Sequence, residues 1–257
     1  EVIDITKPKI FIAENVKGLV NMGQVKDIIQ ADFSQADGNG YIVLSPQVLH
    51  AGNYGVPESR ERVIFIGIRK DALKEEIAQI LKNDLIANHL NPYPQPTHNC
   101  TLNDETLATP VVLCDVLKQL KEPKESFDPS QRFYSKAKYM GAHCQGQKEI
   151  TMNSIGPTIR SEHHGNIEYR RLSLEHGGTN KNELEKGLAE RRLTPRECAL
   201  IQTFPPDFQF VIPKDYDWKR FIVSASGAYK VIGNAVPPIL AYHIAMRIQN
   251  LWSTYFK

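Results

Sequence analysis

Apolar positions recur at two different periods along this chain. After Pro8, residues 10–14 form a short apolar run with polar neighbours, the pattern of a buried strand. Between residues 18 and 33 the apolar positions Leu19, Met22, Val25, Ile28 and Ile29 fall three or four apart, which predicts a helix. Residues 41–48 and 62–68 are rich in β-branched and aromatic side chains and predict strands, while residues 51–57 between them read as a turn. Residues 72–81 predict an amphipathic helix. The order strand, helix, strand, strand, helix fits an α/β sheet with a local antiparallel pair.

The pattern changes after Asn83. Asn91-Pro-Tyr-Pro-Gln-Pro96 is a proline-rich loop and an exit from the first unit. Thr109-Pro110 offers an N-cap and first-turn proline for a helix reaching Leu120. Residues 121–190 are irregular and rich in Gly, Asn, His and polar turns, with short strands expected at 149–152 and 158–160. The charged stretch 181–190 reads as an exposed helix or a mobile link. Regular structure returns at Thr194-Pro195-Arg196-Glu197, a capping box that opens a helix toward Gln202 and is stopped by Phe204-Pro205-Pro206. A last helix is expected from Pro237-Pro238 through Ile239, Leu240, Ile244, Ala245 and Ile248.

Composition narrows the class. With 257 residues, 41% hydrophobic and 23% charged, the chain can bury a substantial core as one large or two smaller domains. No apolar run approaches the roughly 20 residues that cross a bilayer. The start, Glu1-Val-Ile-Asp-Ile-Thr-Lys7, lacks signal-peptide character and an initiator Met, as expected of a fragment or a processed subunit. The net charge of +2 neither requires nor excludes a nucleic-acid partner. Cys100, Cys114, Cys144 and Cys198 form no CxxC pair and read as free thiols of a reducing compartment. His98-Asn-Cys100 and His143-Cys144 lack the second spaced pair of a structural zinc site, so no metal is expected.

Several residues carry candidate chemistry. Glu14 ends an apolar strand, where α/β proteins place catalytic groups, although a solvated acid is the commoner occupant. Arg60 and Arg62 alternate with Ser59 and Glu61, so strand geometry puts both guanidiniums on one face, suited to a carboxylate, a phosphate or a base edge. An ordinary exposed strand end is the alternative. Gly233-Asn234 reads as a turn before a helix, able to place N–H groups and an amide beside a ligand. Phe204 reads first as a packing residue.

The order of these segments is more specific than any one of them. Phe11-Ile-Ala-Glu14-Asn15-Val16, then Tyr54-Gly-Val-Pro-Glu58-Ser-Arg60-Glu61-Arg62, then Arg192-Leu-Thr-Pro-Arg-Glu197 with Gln202-Thr-Phe204-Pro-Pro206, and finally Gly233-Asn234-Ala235-Val236-Pro237-Pro238 resemble the later motifs of the DNA (cytosine-5) methyltransferase family. The resemblance covers residues 1 to about 70 and about 190 to 250. Gln145-Gly-Gln147, Pro157-Thr-Ile-Arg160-Ser-Glu-His-His-Gly-Asn166 and Arg170-Arg171 resemble the target-recognition region of bacterial members.

The resemblance implies part of a Rossmann-like, S-adenosylmethionine-dependent methyltransferase sheet beside a small, loop-rich target-recognition domain. It implies a DNA (cytosine-5-)-methyltransferase of a restriction-modification system, acting on double-stranded DNA in the bacterial cytoplasm. Such enzymes flip the cytosine out of the stack, attack C6 with a Cys thiolate and methylate C5. Glu14 would hydrogen-bond N3 and the exocyclic amine, a role that needs a shared proton. Asn15 would support the pocket, Arg62 would contact the cytosine O2, and Arg60 would order the same site. Asn234 and Ala235 would line the cofactor pocket, with Phe204 at its edge. Expected boundaries are 1–83 for the carboxyl-terminal part of the catalytic domain, 84–190 for DNA reading, 191–227 for a hinge with its helix, and 228–257 for the return to the catalytic domain.

Two departures qualify this. Glu58 stands where the family usually has Gln, and its charge either alters the Arg pairing or faces solvent. None of the four cysteines follows a proline, and no Gly-rich FxGxG loop is present. The chain is therefore expected to be inactive alone and to need an amino-terminal half that carries the nucleophile; a non-catalytic DNA-binding or regulatory module is the alternative. Over residues 130–171 the cations Arg132, Lys136, Lys138, Lys148, Arg160, Arg170 and Arg171 outnumber Glu149, Glu162 and Glu168 by seven to three, which marks the expected DNA reader.

Overall fold

The computed structural model of the protein describes residues 1–257 apart from 22, 23, 37, 39, 84 and 162–165. Met22 of the expected helix, and Glu162, His163, His164 and Gly165 of the basic region, fall outside the described residues.

Helix α1 (Val2–Thr6) leads to strand β1 (Ile10–Val16). A 3-10 turn at Lys17–Asn21 and helix α2 (Val25–Gln35) occupy the region expected to be one helix. The β-rich stretch after it divides into β2 (Tyr41–Val43) and β3 (Gln47–His50) around Pro46, which has no N–H to give to a ladder. Strand β4 (Glu61–Arg69) is the centre of the sheet, with β1 on one side and β2 and β3 on the other. All three pairings are antiparallel, where the sequence led us to expect one antiparallel pair. The short link from β3 to β4 is too brief for the crossover that a parallel pair needs.

Strand periodicity then divides β4 between two faces. Ile64, Ile66 and Ile68 pack into a core formed with Ile42, Leu44 and Leu49 of the adjoining sheet edge and with α3 (Glu75–Leu81). Each such burial contributes roughly 2 kcal/mol. Val63 and Phe65 face the other way, toward Leu19 and the Val25, Ile29 and Phe33 stripe of α2. Gly67 shares that face because Phe11 lies across it: a Cβ there would stand 2.1 Å from the Phe11 ring.

The second half has its own core. Helix α4 (Leu113–Leu117) starts later than the expected Thr109 cap, because the Asp115 carboxylate reaches back to the Val112 N–H at 3.0 Å. Helix α5 (Pro129–Arg132), β5 (Tyr169–Arg171), α6 (Lys181–Glu185) and β6 (Arg191–Arg192) follow, with β5 and β6 paired antiparallel. Glu149 meets Tyr169 in a single bridge, and residues 158–160 join no strand, so neither expected strand forms as a ladder. The charged stretch 181–190 opens as the helical turn α6, tied down by Glu183.

Helix α7 (Pro195–Ile201) forms as the capping box requires. The Thr194 hydroxyl accepts from the Glu197 N–H at 3.0 Å, and the Glu197 carboxylate accepts from the Thr194 N–H at 2.9 Å. After the short pair β7 (Ile212–Pro213) and β8 (Phe221–Val223) come α8 (Ala225–Asn234) and α9 (Pro238–Tyr255). Leu113, Ile159, Cys198, Ile201, Ala228, Tyr229 and Ile232 belong to the second core, while Leu240, Ile244, Leu251 and Tyr255 of α9 return to the first. The chain thus crosses between cores at residues 235–237. Gly233-Asn234 is the end of α8 rather than a free turn, so it offers carbonyls, not helix-start N–H groups, to its surroundings. Among the described residues no helix is long and apolar enough to cross a membrane.

Candidate active site

Antiparallel register places Glu14 opposite Ile64 and Val16 opposite Arg62, at the end of the β1–β4 ladder. The Arg62 side chain turns back along β1, and its Nε lies 2.7 Å from Glu14 Oε1. The N–H is not aimed at that oxygen, so Oε1 remains a buried acceptor without an aligned donor. Arg62 also donates from Nη1 to the Glu61 carbonyl at 2.7 Å. The Asn15 amide oxygen accepts from the Val16 N–H at 2.8 Å, fixing the strand end. A cleft of about 430 Å³ opens beside this pair, walled by Glu14, Asn15, Val16, Arg62, residues 158–161 and Gly233-Asn234. A larger groove of about 650 Å³ runs along β2 and gathers Lys70 and Lys82 but, among the described residues, no carboxylate–arginine pair.

Arg60 holds the cleft together from behind. Its guanidinium is fully buried and donates to the carbonyls of Ile159 at 3.0 Å, Gly233 at 2.7 Å and Ala235 at 2.8 Å. Three segments distant in sequence thereby meet on one cation. Glu58, also fully buried, lies 3.5 Å from Arg60 Nη1, and its Oε1 accepts the Ile159 N–H at 2.6 Å. Of the two expectations for Glu58, solvent exposure is thus excluded, and the carboxyl lies against Arg60 instead. Burial pushes its carboxyl up to about 7, although Arg60 and the Ile159 N–H pull it down.

The two walls also touch directly. A Cβ on Gly233 would lie 2.3 Å from the Arg160 carbonyl carbon and the Ser161 nitrogen, both backbone atoms. Gly233→Ala should therefore force the walls apart and cost about 1–3 kcal/mol, read as a lower midpoint in denaturant unfolding. An unchanged midpoint would show that the two segments can separate freely.

The remaining expected site residues divide. Asn234 is exposed at the cleft, and the Ala235 carbonyl is taken by Arg60. Phe204 is not brought to this cleft; its ring packs on Phe208 and Phe210 at 5.6 and 5.0 Å. Arg132, Lys136, Lys138 and Lys148 are exposed, and Arg160 is partly exposed, 3.7 Å from Glu168. Arg170 and Arg171 are corrections to the expected DNA surface. Both are buried and bonded inward, Arg170 to Glu183 at 2.6 Å and Arg171 to Glu183 and, at 3.3 Å, to Glu122. Their charges are used inside the fold.

Three residues without an assigned role from sequence complete that interior. Arg191 makes a two-pronged contact with Glu197 at 2.8 and 2.9 Å and reaches Glu122 at 3.0 Å. Burial opposes the Glu122 charge, yet Arg191 and Arg171 hold its carboxyl below the ordinary value. Arg192 donates to the carbonyls of Ala137 at 2.9 Å and Gly146 at 2.6 Å, and to Ile167, gathering the loops of the second core. Arg170-Arg171 and Arg191-Arg192 stand on the two paired strands β5 and β6, and their acceptors come from segments distant in sequence.

None of the four cysteines lines the cleft. Cys198 is fully buried in α7, where burial pushes its thiol well above the ordinary value.

Known proteins resemble this chain along nearly its whole length. The family model for C-5 cytosine-specific DNA methylase matches residues 1–250. The type II methyltransferase M.FnuDI of Fusobacterium nucleatum is 30% identical over 268 residues, covering 95% of this chain and 65% of that protein. M.BspRI of Lysinibacillus sphaericus is 34% identical over 259 residues, covering 98% and 53%. The chain therefore spans between about half and two thirds of these relatives' lengths. The crystal structure of the S. pombe Dnmt2 methyltransferase superposes with a TM-score of 0.52 at 16% identity, over 96% of this chain and 66% of that one, and shares the fold.

Proposed function

The chain belongs to the C-5 cytosine-specific DNA methylase family, and we propose that it forms the base-holding and DNA-reading part of a type II DNA (cytosine-5-)-methyltransferase. The observation that carries this reading is the Glu14–Arg62 pair beside a cleft with room for a base. Glu14 Oε1, an acceptor without an aligned donor, faces the polar edge of a flipped cytosine, and the Arg62 fork holds its carbonyl oxygen. Negative charge that develops on the ring as C6 is attacked is then met by Arg62 and a proton shared with Glu14. Arg60 acts through the walls, as a positioning residue.

S-adenosylmethionine supplies the methyl group when bound. Asn234 and Ala235, at the end of α8 beside the cleft, fit one wall of its pocket and no more. The attacking thiolate comes from an amino-terminal half, in the same polypeptide or as a separate subunit, because the cysteines of this chain stand away from the cleft. The outer edge of β1 suits such a partner. Among the described strands β1 pairs with β4 alone, and Ile12 and Val16 are 46% and 54% exposed. Residues 1–83 with α9 form the catalytic part, and residues 84–190 read double-stranded DNA through Arg132, Lys136, Lys138, Lys148 and Arg160, in the bacterial cytoplasm beside a partner restriction enzyme.

Labelled methyl transfer to DNA tests this reading. The chain alone should transfer none, and addition of a family amino-terminal half should restore it, with DNA affinity falling as salt rises. Turnover by the chain alone would overturn the division of labour. DNA binding without any rescue would favour a non-catalytic DNA-binding or regulatory module.

A further inference from the structure

We propose that Glu58 is a proton-operated positioning residue: as a neutral acid it keeps the Ile159 peptide and Arg60 seated behind the Glu14–Arg62 cleft, and loss of its proton loosens that wall. The inference rests on the cleft being the base-holding site, and it concerns a residue at which this chain departs from its family's usual Gln.

Glu58 and Arg60 grip one residue from both sides. Glu58 Oε1 takes the Ile159 N–H at 2.6 Å, while Arg60 gives to the Ile159 carbonyl at 3.0 Å. Ile159 belongs to no strand ladder, so these side chains replace the backbone partners it would have there. The next residue, Arg160, lines the cleft, and the segment is pressed against Gly233 on the opposite wall. The grip therefore sets the distance between two walls of one cleft.

Burial disfavours the charged form of Glu58. Glu58 is fully buried, and its Oε2 has no hydrogen-bond partner among the described residues. A carboxylate there would have one N–H at 2.6 Å and one guanidinium nitrogen at 3.5 Å, too little to replace its hydration. Arg60 does not depend on that charge, because three carbonyls already accept from it. The charged and titratable groups that face Glu58 are Arg60 and Arg62 from β4 and its approach and Cys198 from α7, with Glu14 of β1 acting on Arg60. The Cys198 thiol is neutral, and the two arginines fall short of the burial penalty, leaving the carboxyl pushed up to about 7.

The sign follows from proton linkage. The closed form holds the Glu58 proton more tightly than an opened or unfolded form does, so closed-state stability is full below the ordinary carboxyl range. It is lost as pH rises toward 7, where the loss levels off. Hydrogen exchange at the Ile159 amide reads this without DNA or methyl transfer. In the complete enzyme, amino-terminal half included, the opening equilibrium corrected for intrinsic exchange should rise about tenfold between pH 6 and pH 8. E58Q, which keeps an acceptor and has no proton to lose, should show no such rise. The methylation pH profile should lose its fall on the alkaline side in E58Q alone. Should E58Q fold poorly, infrared titration of isotope-labelled wild-type carboxyl groups gives the same answer: one buried acid losing its proton near neutrality supports the device, and its absence overturns it. A pH-independent opening in the wild type, or an equal rise in E58Q, also overturns it. A flat methylation profile beside the expected exchange result would instead count against the cleft as the base-holding site.

Discussion

Arg60→Ala should lower the free energy of unfolding by about 3–5 kcal/mol. The side chain is 0% exposed and is the meeting point of Ile159, Gly233 and Ala235. Alanine leaves the Ile159 and Gly233 carbonyls, in buried bonds, and the partly buried Ala235 carbonyl without this donor, each a loss of roughly 1–3 kcal/mol where water cannot enter. It also removes the nearest cation to Glu58. Arg60→Lys should recover little, since one ammonium on a flexible stem cannot reach three acceptors that a planar fork serves together. Denaturant unfolding of both variants measures this. A loss below about 1 kcal/mol for the alanine variant would mean that water or a shifted loop replaces the guanidinium easily, and that the walls of the cleft are held by something else.

Sequence alone does not reveal this role of Arg60, although the residue stands out there. Alternation along residues 60–62 predicts two arginines on one face, but the same alternation serves an exposed strand end, and Arg60 stands just before the strand begins. What decides the matter is the arrival of residues 99 and more positions away, the Ile159 and Gly233 carbonyls, which no local pattern announces. Arg170 and Arg171 failed for the same reason. Their partners Glu183 and Glu122 stand 12 to 49 positions off, so a local charge count sees only unpaired cations. Elements with local causes were legible. The Thr194 capping box, the β4 alternation and the proline start of α9 each rest on neighbours within four residues. Gly233-Asn234 misled because a Gly-Asn pair usually turns the chain; here α8 runs through it, and the crowding of Arg160 and Ser161 is what requires the glycine.

Glu14→Gln in the complete enzyme should lower methyl transfer by roughly 10²–10⁴-fold, the range that a positioned acid or base contributes. Gln is nearly isosteric and keeps an acceptor, so the variant separates charge and proton from shape. Stability should change by no more than about 1–2 kcal/mol, because Gln keeps the shape and an acceptor beside Arg62. DNA affinity should stay near the wild-type value, since the exposed cations of residues 130–160 are untouched. The rate alone should therefore fall. Arg62→Lys provides the complement. It keeps the charge 2.7 Å from Glu14 within reach of an ammonium, but loses the fork that would hold a carbonyl oxygen, so it too should slow the chemistry more than it weakens binding. The two losses should not add in Glu14→Gln/Arg62→Lys, because both side chains act on one ring in one step. If Glu14→Gln retained more than about a tenth of the rate, the proton would have to reach the ring from elsewhere, and Glu14 would be no more than the counterion that keeps Arg62 turned into the cleft.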